Sequence, residues 1–419
     1  MSIRSEQFEK IKQSILTIII LVNFGVLPIF EYIKALTGIN PLKRHVIVII
    51  FIALYGAIYF IYNFDKIRVK VRIEFLTLTM CILLQVLWMP LAIGYGDEGI
   101  YNYIRVVANT GFSSLLMYLV GGGFQKVKDI LLKPKVKLII NILFLIFVAL
   151  IFYGVTLNPY GEFQIYYGKV KSDYLYIGDS FAIFSFLVLY VNKSDAIKML
   201  MAGIATLTLY VISSRLSFAA FVVVIIIDIG IRLINRIMTA HRRISKGKFF
   251  LVAAFLMGIM IFVSLSGGLE INFDNLDNNR IFGGLTDIKH DESYLSREKL
   301  LTLGENTLRE NFILGKFMYE VEIMGGTGGY VHNIISYLVE YGIIFFCFFI
   351  GSILKKMGEF IVLYSRTRLK DSYDVVKFSI FLFTLMSIVI GRSYIYPFIW
   401  IPIGMMEVSK YSKYSKYNK

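Results

Sequence analysis

Several arginines stand beside apolar runs long enough to cross a lipid bilayer. They are Arg105, Arg215 in SSRLS, Arg280 in NNRIFGG, Arg297 in SREKLL and Arg392 in GRSYIYP. The planar guanidinium group binds phosphate oxygens through two parallel hydrogen bonds, and ionisable groups beside membrane-embedded segments usually face a cavity or a partner. The alternative is an arginine that reaches the lipid headgroups. The short flanking segments favour phosphate binding for Arg215, and both interpretations stay open for Arg105, Arg280 and Arg392.

A polar pair, His332 and Asn333, joins the glycine cluster GGTGG (325–329) to a long apolar stretch. A neutral imidazole at this place could accept a proton from a hydroxyl group, and the glycines would let the preceding loop move. The alternative is structural, with Asn333 capping the backbone amides of a new helix. Glu320 and Glu322 are alternative bases, although carboxylates on exposed loops are normally solvated.

Signatures of several other chemistries are absent from the sequence. It contains no GxxxxGK[ST], HExxH, GxSxG or CxxC motif, so ATP hydrolysis and zinc proteolysis lose their usual support. The acidic stretches DNLDNN (274–279) and KHDES (289–293) lack the ligand spacing of a metal site. Cys81 and Cys347 lie inside apolar segments and are expected to be inert thiols. We predict neither a metal nor a cofactor.

The elements that must position these residues are apolar helices. The chain of 419 residues is 57% hydrophobic and only 17% charged, which predicts an all-α integral membrane protein. We expect one polytopic domain, 1–419, with about twelve transmembrane helices. The candidate segments are 14–34, 45–63, 74–92, 102–120, 138–155, 175–191, 198–212, 217–231, 249–266, 333–352, 378–391 and 395–408.

The distribution of basic residues predicts the orientation of these segments. If both termini are cytoplasmic, the inner connections hold 30 of the 44 lysines and arginines, as the positive-inside rule requires. The net charge of +15 is therefore explained by membrane orientation rather than by nucleic-acid binding. The basic tail 409–419 would lie in the cytoplasm, either solvated or against the anionic inner leaflet.

One predicted outer connection, 267–331, is much longer than the others. Within it, DESYLSREKLLTLGENTLREN has leucines at roughly helical spacing and predicts an amphipathic helix. The leucines of its apolar face are Leu295, Leu300, Leu301 and Leu308. We therefore expect a large, partly helical extracytoplasmic loop.

The order of these motifs resembles that of the bacterial O-antigen ligases and the O-antigen or capsular polysaccharide polymerases. The resemblance is carried by SSRLS (213–217), REKLLTLGENTLRENFILGK (297–316) and HNIISYLVEYGII (332–344). Arg297 with Leu301 resembles the family's RxxxL element, and His332, Asn333 and Gly342 resemble its HN…G element. NFILGK takes the place of a proline-containing turn, and IIFFCFF replaces a glycine-rich end.

The resemblance implies a glycan transferase at the outer face of the bacterial cytoplasmic membrane. It would move a glycan from an undecaprenyl-pyrophosphate carrier to a lipid-linked repeat unit. Arg215, Arg297 and His332 would be the catalytic residues, the arginines binding pyrophosphate and the histidine either accepting the hydroxyl proton or orienting the acceptor. Further candidates for substrate contact are Arg280, Asn333, Arg392 and Glu322.

The expected partners are the lipid-linked oligosaccharide and membrane lipids, with a chain-length regulator protein as an open option. Two alternatives to the polymerase are kept. A ligase would pass the glycan to lipid A core, and a flippase or exporter would move the lipid-linked sugar. A transporter would place charges deep inside many spans, whereas we expect most spans here to lack buried charges.

Overall fold

The computed structural model describes residues 3–30, 33, 50, 73–90, 96–156, 166–167, 170–171, 174–239, 292–324, 329–367 and 371–407. Nearly all of these residues are helical. The prediction of an all-α protein is confirmed at this level, the exception being one pair of two-residue antiparallel strands, β1 (Tyr166–Tyr167) and β2 (Val170–Lys171).

The first half of the chain forms helices joined by short turns or π-helical segments. These are α1 (Ile3–Leu21), continued by a π-helical turn at Val22–Val26; α2 (Ile73–Leu87); α3 (Gly96–Val107), continued through a π-helical turn at Ala108–Phe112 into α4 (Ser113–Leu131); α5 (Pro134–Thr156); α6 (Tyr174–Val191); α7 (Asp195–Ile212); and α8 (Arg215–Thr239).

The second half carries the elements that shape the candidate site. These are α9 (Glu292–Glu310), α10 (Tyr319–Met324), α11 (Ile335–Thr367), α12 (Ser372–Ile390), a 3₁₀ turn at Pro397–Ile399 and α13 (Trp400–Glu407).

Among the described residues, seven helical stretches are long and apolar enough to cross a membrane. They are Gln13–Phe30, Gly99–Phe124, Pro134–Gly154, Tyr174–Val191, Asp195–Ile212, Ile335–Tyr364 and Ser372–Ile390. Length and composition thus support a membrane-embedded protein. Two of the twelve predicted segments, 45–63 apart from residue 50 and 249–266, lie outside the described residues, so the count of twelve stays a prediction.

The short last helix, α13, lies in the interior and packs most closely on α4. A Cβ atom on Gly121 would lie 2.9 Å from the carbonyl carbon of Ile401, and one on Gly404 would lie 2.9 Å from the amide nitrogen of Gly122. Small residues at such contacts let two helix backbones approach closely. Trp400 is 1% exposed beside this contact. The packing anchors the segment 391–396, which precedes α13 and carries Arg392.

The predicted amphipathic helix of the long connection forms, as α9. Leu300 is buried, and Leu301 and Leu308 pack against a small apolar cluster of Tyr319, Val331 and Val339. Leu295 is 44% exposed and does not belong to this face. The leucine spacing therefore predicted the helix and three of the four contact positions.

Helix α11 contains a break at Gly342, and the NFILGK segment docks into it. Gly342 has φ 75° and ψ 177°, a conformation open almost only to glycine. The facing Gly315 also has a positive φ, 67°. Two backbone hydrogen bonds join the segments, from Lys316 N to Val339 O (2.9 Å) and from Ile343 N to Phe312 O (2.9 Å). Two motifs that the sequence presents separately are thus in direct contact.

Candidate functional site

A buried ion pair between Arg392 and Asp179 lies at the centre of the candidate site. Arg392 Nε donates to Asp179 Oδ2 at 2.6 Å and Nη2 donates to Oδ1 at 3.0 Å. Arg392 is 7% exposed and Asp179 is 2% exposed. Burial lowers the pKa of Arg392, but the adjacent Asp179 carboxylate raises it more, so the net shift is upward and the guanidinium stays charged. Arg392 therefore does not extend into headgroups.

The serine–arginine turn between α7 and α8 is tied to the same pair. Ser217 Oγ donates to Asp179 Oδ1 at 2.6 Å, and Arg392 Nη2 lies 3.0 Å from Ser217 Oγ and 3.3 Å from Ser214 Oγ. The turn is tight, since Ser213 adopts a left-handed conformation with φ 60°. Arg215 is the first residue of α8 and is half-buried. The turn that presents Arg215 is thus bonded to Arg392 through Ser214 and Ser217.

Arg297 approaches this network from α9. Its Nη1 lies 3.8 Å from the position that a Cβ atom on Gly391 would occupy, next to Arg392 in sequence. The side chain remains exposed. A cation on α9 therefore lies at the edge of the buried pair, accessible from solvent.

The His332 imidazole lies within electrostatic range of the Arg297 and Arg392 guanidinium groups. Burial, then the charge of Arg297, then that of Arg392 lower the pKa of His332 from 6.5 to about 4. The imidazole is therefore neutral at pH 7 and can accept a proton, as a weaker base than an imidazole with the ordinary pKa. Its ring contacts Tyr330 at a centroid distance of 5.2 Å, and Tyr330 contacts Tyr394 at 5.6 Å. The structure thus brings His332, Arg297 and Arg392 together.

Asn333 has the capping role that the sequence left as an alternative. Its Oδ1 accepts a hydrogen bond from Ile335 N at 2.8 Å, and its carbonyl oxygen accepts one from Ser336 Oγ at 2.7 Å. Ser336 Oγ in turn accepts a hydrogen bond from Tyr394 N at 2.8 Å. Because Asn333 caps the first turn of α11, the imidazole of the neighbouring His332 does not serve as the cap.

The two carboxylates considered as alternative bases differ in environment. Glu322 is exposed and forms an ion pair with Lys316 at 2.6 Å. The expectation of solvation is wrong for Glu320, which is fully buried and accepts a hydrogen bond from Tyr394 Oη at 2.9 Å. Burial raises the pKa of Glu320. It is hydrogen-bonded to a second buried carboxyl, Glu340, whose Oε2 accepts from Met318 N at 2.7 Å.

Arg280, the remaining predicted contact residue, lies outside the described residues. Two residues of the site, Asp179 and Glu340, were missed by the sequence reasoning. The available signal was a lone acid inside an apolar segment, as in YLYIGDSFAIF, because such a residue needs a partner.

The expectation that most spans lack buried charges stays a prediction, because part of the chain lies outside the described residues. Among the seven described candidate spans, three carry a buried acid, namely Asp179, Glu340 and Asp374, and the shorter apolar helix α2 carries Glu74. Glu74 pairs with Lys355 at 2.6 Å, and Asp374 pairs with Lys377 at 2.7 Å. Pairing offsets the cost of burial, so such residues fit apolar helices.

No family model matches the chain, and no curated protein matches it. Within the described ranges there is no group of three or more His, Cys, Asp or Glu side chains that could hold a metal ion. A functional assignment must therefore be argued from the geometry of the polar network and from the order of the motifs.

Proposed function

We propose that the protein is a polysaccharide polymerase of the bacterial cytoplasmic membrane. It transfers a glycan from an undecaprenyl-pyrophosphate carrier to the hydroxyl group of a lipid-linked repeat unit. The observation that carries the proposal is a half-buried His332 within electrostatic range of two guanidinium groups, Arg297 and Arg392, of which Arg392 is bonded to the turn that presents Arg215.

This arrangement contains the two parts that the transfer needs. The acceptor oxygen bonds to the anomeric carbon as the bond from that carbon to the pyrophosphate breaks, and the hydroxyl proton goes to the His332 imidazole. The departing pyrophosphate gains negative charge, which guanidinium groups fixed in place stabilise. Arg297 and Arg215 perform this role. Arg392 contributes mainly its charge, because its Nε and Nη2 atoms bind Asp179 and the serines.

The motif contacts add support from a second direction. The NFILGK segment and Gly342 belong to separate parts of the family pattern, and they meet at the break in α11. Two elements that each resemble a part of the family pattern would be expected to be in contact if they form one site. The proposal includes twelve spans with both termini cytoplasmic and 267–331 outside, supported by the 30 of 44 basic residues on the inner connections.

The buried acids argue against a transporter of the same lipid-linked sugar. Glu74, Asp179, Glu340 and Asp374 each lie within the first six residues of their helices. At 1.5 Å per residue, this places each within roughly 9 Å of the helix start, whereas transporter sites lie near the bilayer midplane. In the predicted topology Asp179 and Glu340 lie near the outer face, where the proposed site is, and Glu74 and Asp374 lie near the cytoplasmic face, so none of these acids marks a site at the midplane.

One reconstitution distinguishes the proposal from its alternatives. The purified protein in proteoliposomes is supplied with an undecaprenyl-pyrophosphate-linked repeat unit as the only sugar. A polymerase yields a ladder of lengthened glycans, a ligase yields product only after lipid A core is added, and a flippase moves the substrate without making product. Product that forms only after lipid A core is added, or movement of the substrate without any product, would contradict the proposal.

A further inference from the structure

Asp179 is the one carboxylate of the polar network that no step of the proposed transfer uses. It is 2% exposed and lies in α6, inside the candidate span Tyr174–Val191. An ionised carboxylate in such a place is costly, so its retention requires compensating bonds. Those bonds indicate what the residue does.

Both carboxylate oxygens are occupied. Oδ2 accepts from Arg392 Nε at 2.6 Å, while Oδ1 accepts from Arg392 Nη2 at 3.0 Å and from Ser217 Oγ at 2.6 Å. Ser214 Oγ and Ser217 Oγ lie 2.7 Å apart. The adjacent Gly178 lets α6 approach the two serines, because a Cβ atom at this position would lie 2.9 Å from the Ser217 hydroxyl oxygen. Two parallel bonds to a planar guanidinium fix its orientation as well as its position.

Asp179, on α6, joins two other chain segments that carry different parts of the site. The segment after α12 carries Arg392, and the start of α8 with the residue before it carries Ser214, Arg215 and Ser217. The Asp179 carboxylate has the charge opposite to that of Arg392 and offsets part of it, while the charge of Arg392 still lowers the pKa of His332. The cluster that faces His332 is therefore less positive than two unpaired arginines would be.

We propose that Asp179 is a positioning residue of the transferase: it fixes Arg392 and the serine–arginine turn, and it sets the net positive charge that His332 meets. The catalytic part of this statement rests on the proposed function. The structural part does not, because the charge at His332 can be measured without any substrate.

Several charged or titratable groups surround His332. Arg297 comes from α9, Arg392 with Asp179 comes from the segment after α12 and from α6, and Tyr330 comes from the loop of His332 itself. Behind Tyr330 lies Tyr394, bonded to Glu320. Among these, replacing Asp179 by Asn changes one charge and leaves Arg392 charged at every accessible pH.

The test is a titration of His332 by nuclear magnetic resonance in protein labelled only at histidine. The chain has four histidines, and His332→Asn identifies the signal that belongs to His332. Asp179→Asn should move the titration midpoint of His332 downward by on the order of one pH unit, because an uncompensated cation disfavours the imidazolium. Asp179→Asn combined with Arg392→Gln removes that cation and should return the midpoint to the wild-type value or above it.

Asp371→Asn is the matched control. Asp371 caps α12 at the end opposite Arg392, and asparagine caps as well, so the His332 midpoint should not move. An unchanged midpoint in Asp179→Asn would overturn the proposal. If wild-type protein makes no glycan ladder while the midpoints shift as stated, the proposed function fails and the charge-setting role of Asp179 stands.

A second variant covers the case in which Asp179→Asn does not fold. Asp179→Glu keeps the carboxylate but lengthens its reach, so the His332 midpoint should stay near the wild-type value. Turnover of the lipid-linked repeat unit should fall about tenfold, because Arg392 and the Arg215 turn are displaced together. Turnover at the wild-type level would overturn the positioning role.

Discussion

Gly342→Ala should destabilise the protein by forcing a side chain into the break of α11. Gly342 has φ 75° and ψ 177°, and a Cβ atom there would lie 2.5 Å from the amide nitrogen of Gly315. A residue other than glycine held in this conformation costs about 1–3 kcal/mol, and the clash with the NFILGK backbone adds to that cost. We expect a total of about 3 kcal/mol, which lowers the melting temperature by roughly 3–4 °C for a chain of this length.

The assay is thermal unfolding of purified protein in detergent, followed by size-exclusion chromatography. Gly358→Ala is the control on the same helix, because nothing lies within 4 Å of the Cβ position at Gly358. Alanine should stabilise that site by about 0.5–1 kcal/mol, since glycine is unfavourable inside a helix. Equal melting temperatures for Gly342→Ala and the wild type would refute the docking of the NFILGK segment into the break.

Three further predictions concern the site and its orientation. Arg297→Lys should lose most transfer activity although the charge is kept, because an ammonium group cannot make the bidentate contact; Arg309→Lys on the same helix should stay active. The value of kcat/KM should hold as pH falls through 6.5 and decline only near pH 4, because the active base is the neutral imidazole and the pKa of His332 is lowered to about 4. A cysteine placed at Lys246 should be protected from an external thiol reagent and one at Asn278 should be labelled, and the reverse pattern would contradict the topology.

Local features of the sequence predicted those parts of the fold that depend on neighbouring residues. The leucines of α9 repeat at helical spacing, so the helix could be expected without knowing what it packs against. The burial of α13 could not be predicted in this way. That burial depends on the close contact of Gly121 with Ile401, which are far apart in sequence.

In the candidate site, too, single residues could be predicted from the local sequence, and their distant partners could not. Arg392 stood out because it is a cation beside an apolar run, whereas its partner Asp179 is 213 residues away and no local pattern connects them. The environment of Glu320 also depends on a distant residue, Tyr394. Sequence spacing therefore indicated individual ionisable residues, and only the packed helices show which of them are paired and which are open to a substrate.

The most direct test of the account compares the wild type with His332→Asn in proteoliposomes that contain only the undecaprenyl-pyrophosphate-linked repeat unit. Asn333 already caps α11, so the substitution should leave the fold intact while removing the proton acceptor. His290→Asn, at the histidine within the predicted loop 267–331, is the control. We expect a ladder of lengthened glycans from the wild type and from His290→Asn, and almost none from folded His332→Asn. A wild-type sample without a ladder, or a normal ladder from His332→Asn, would contradict it.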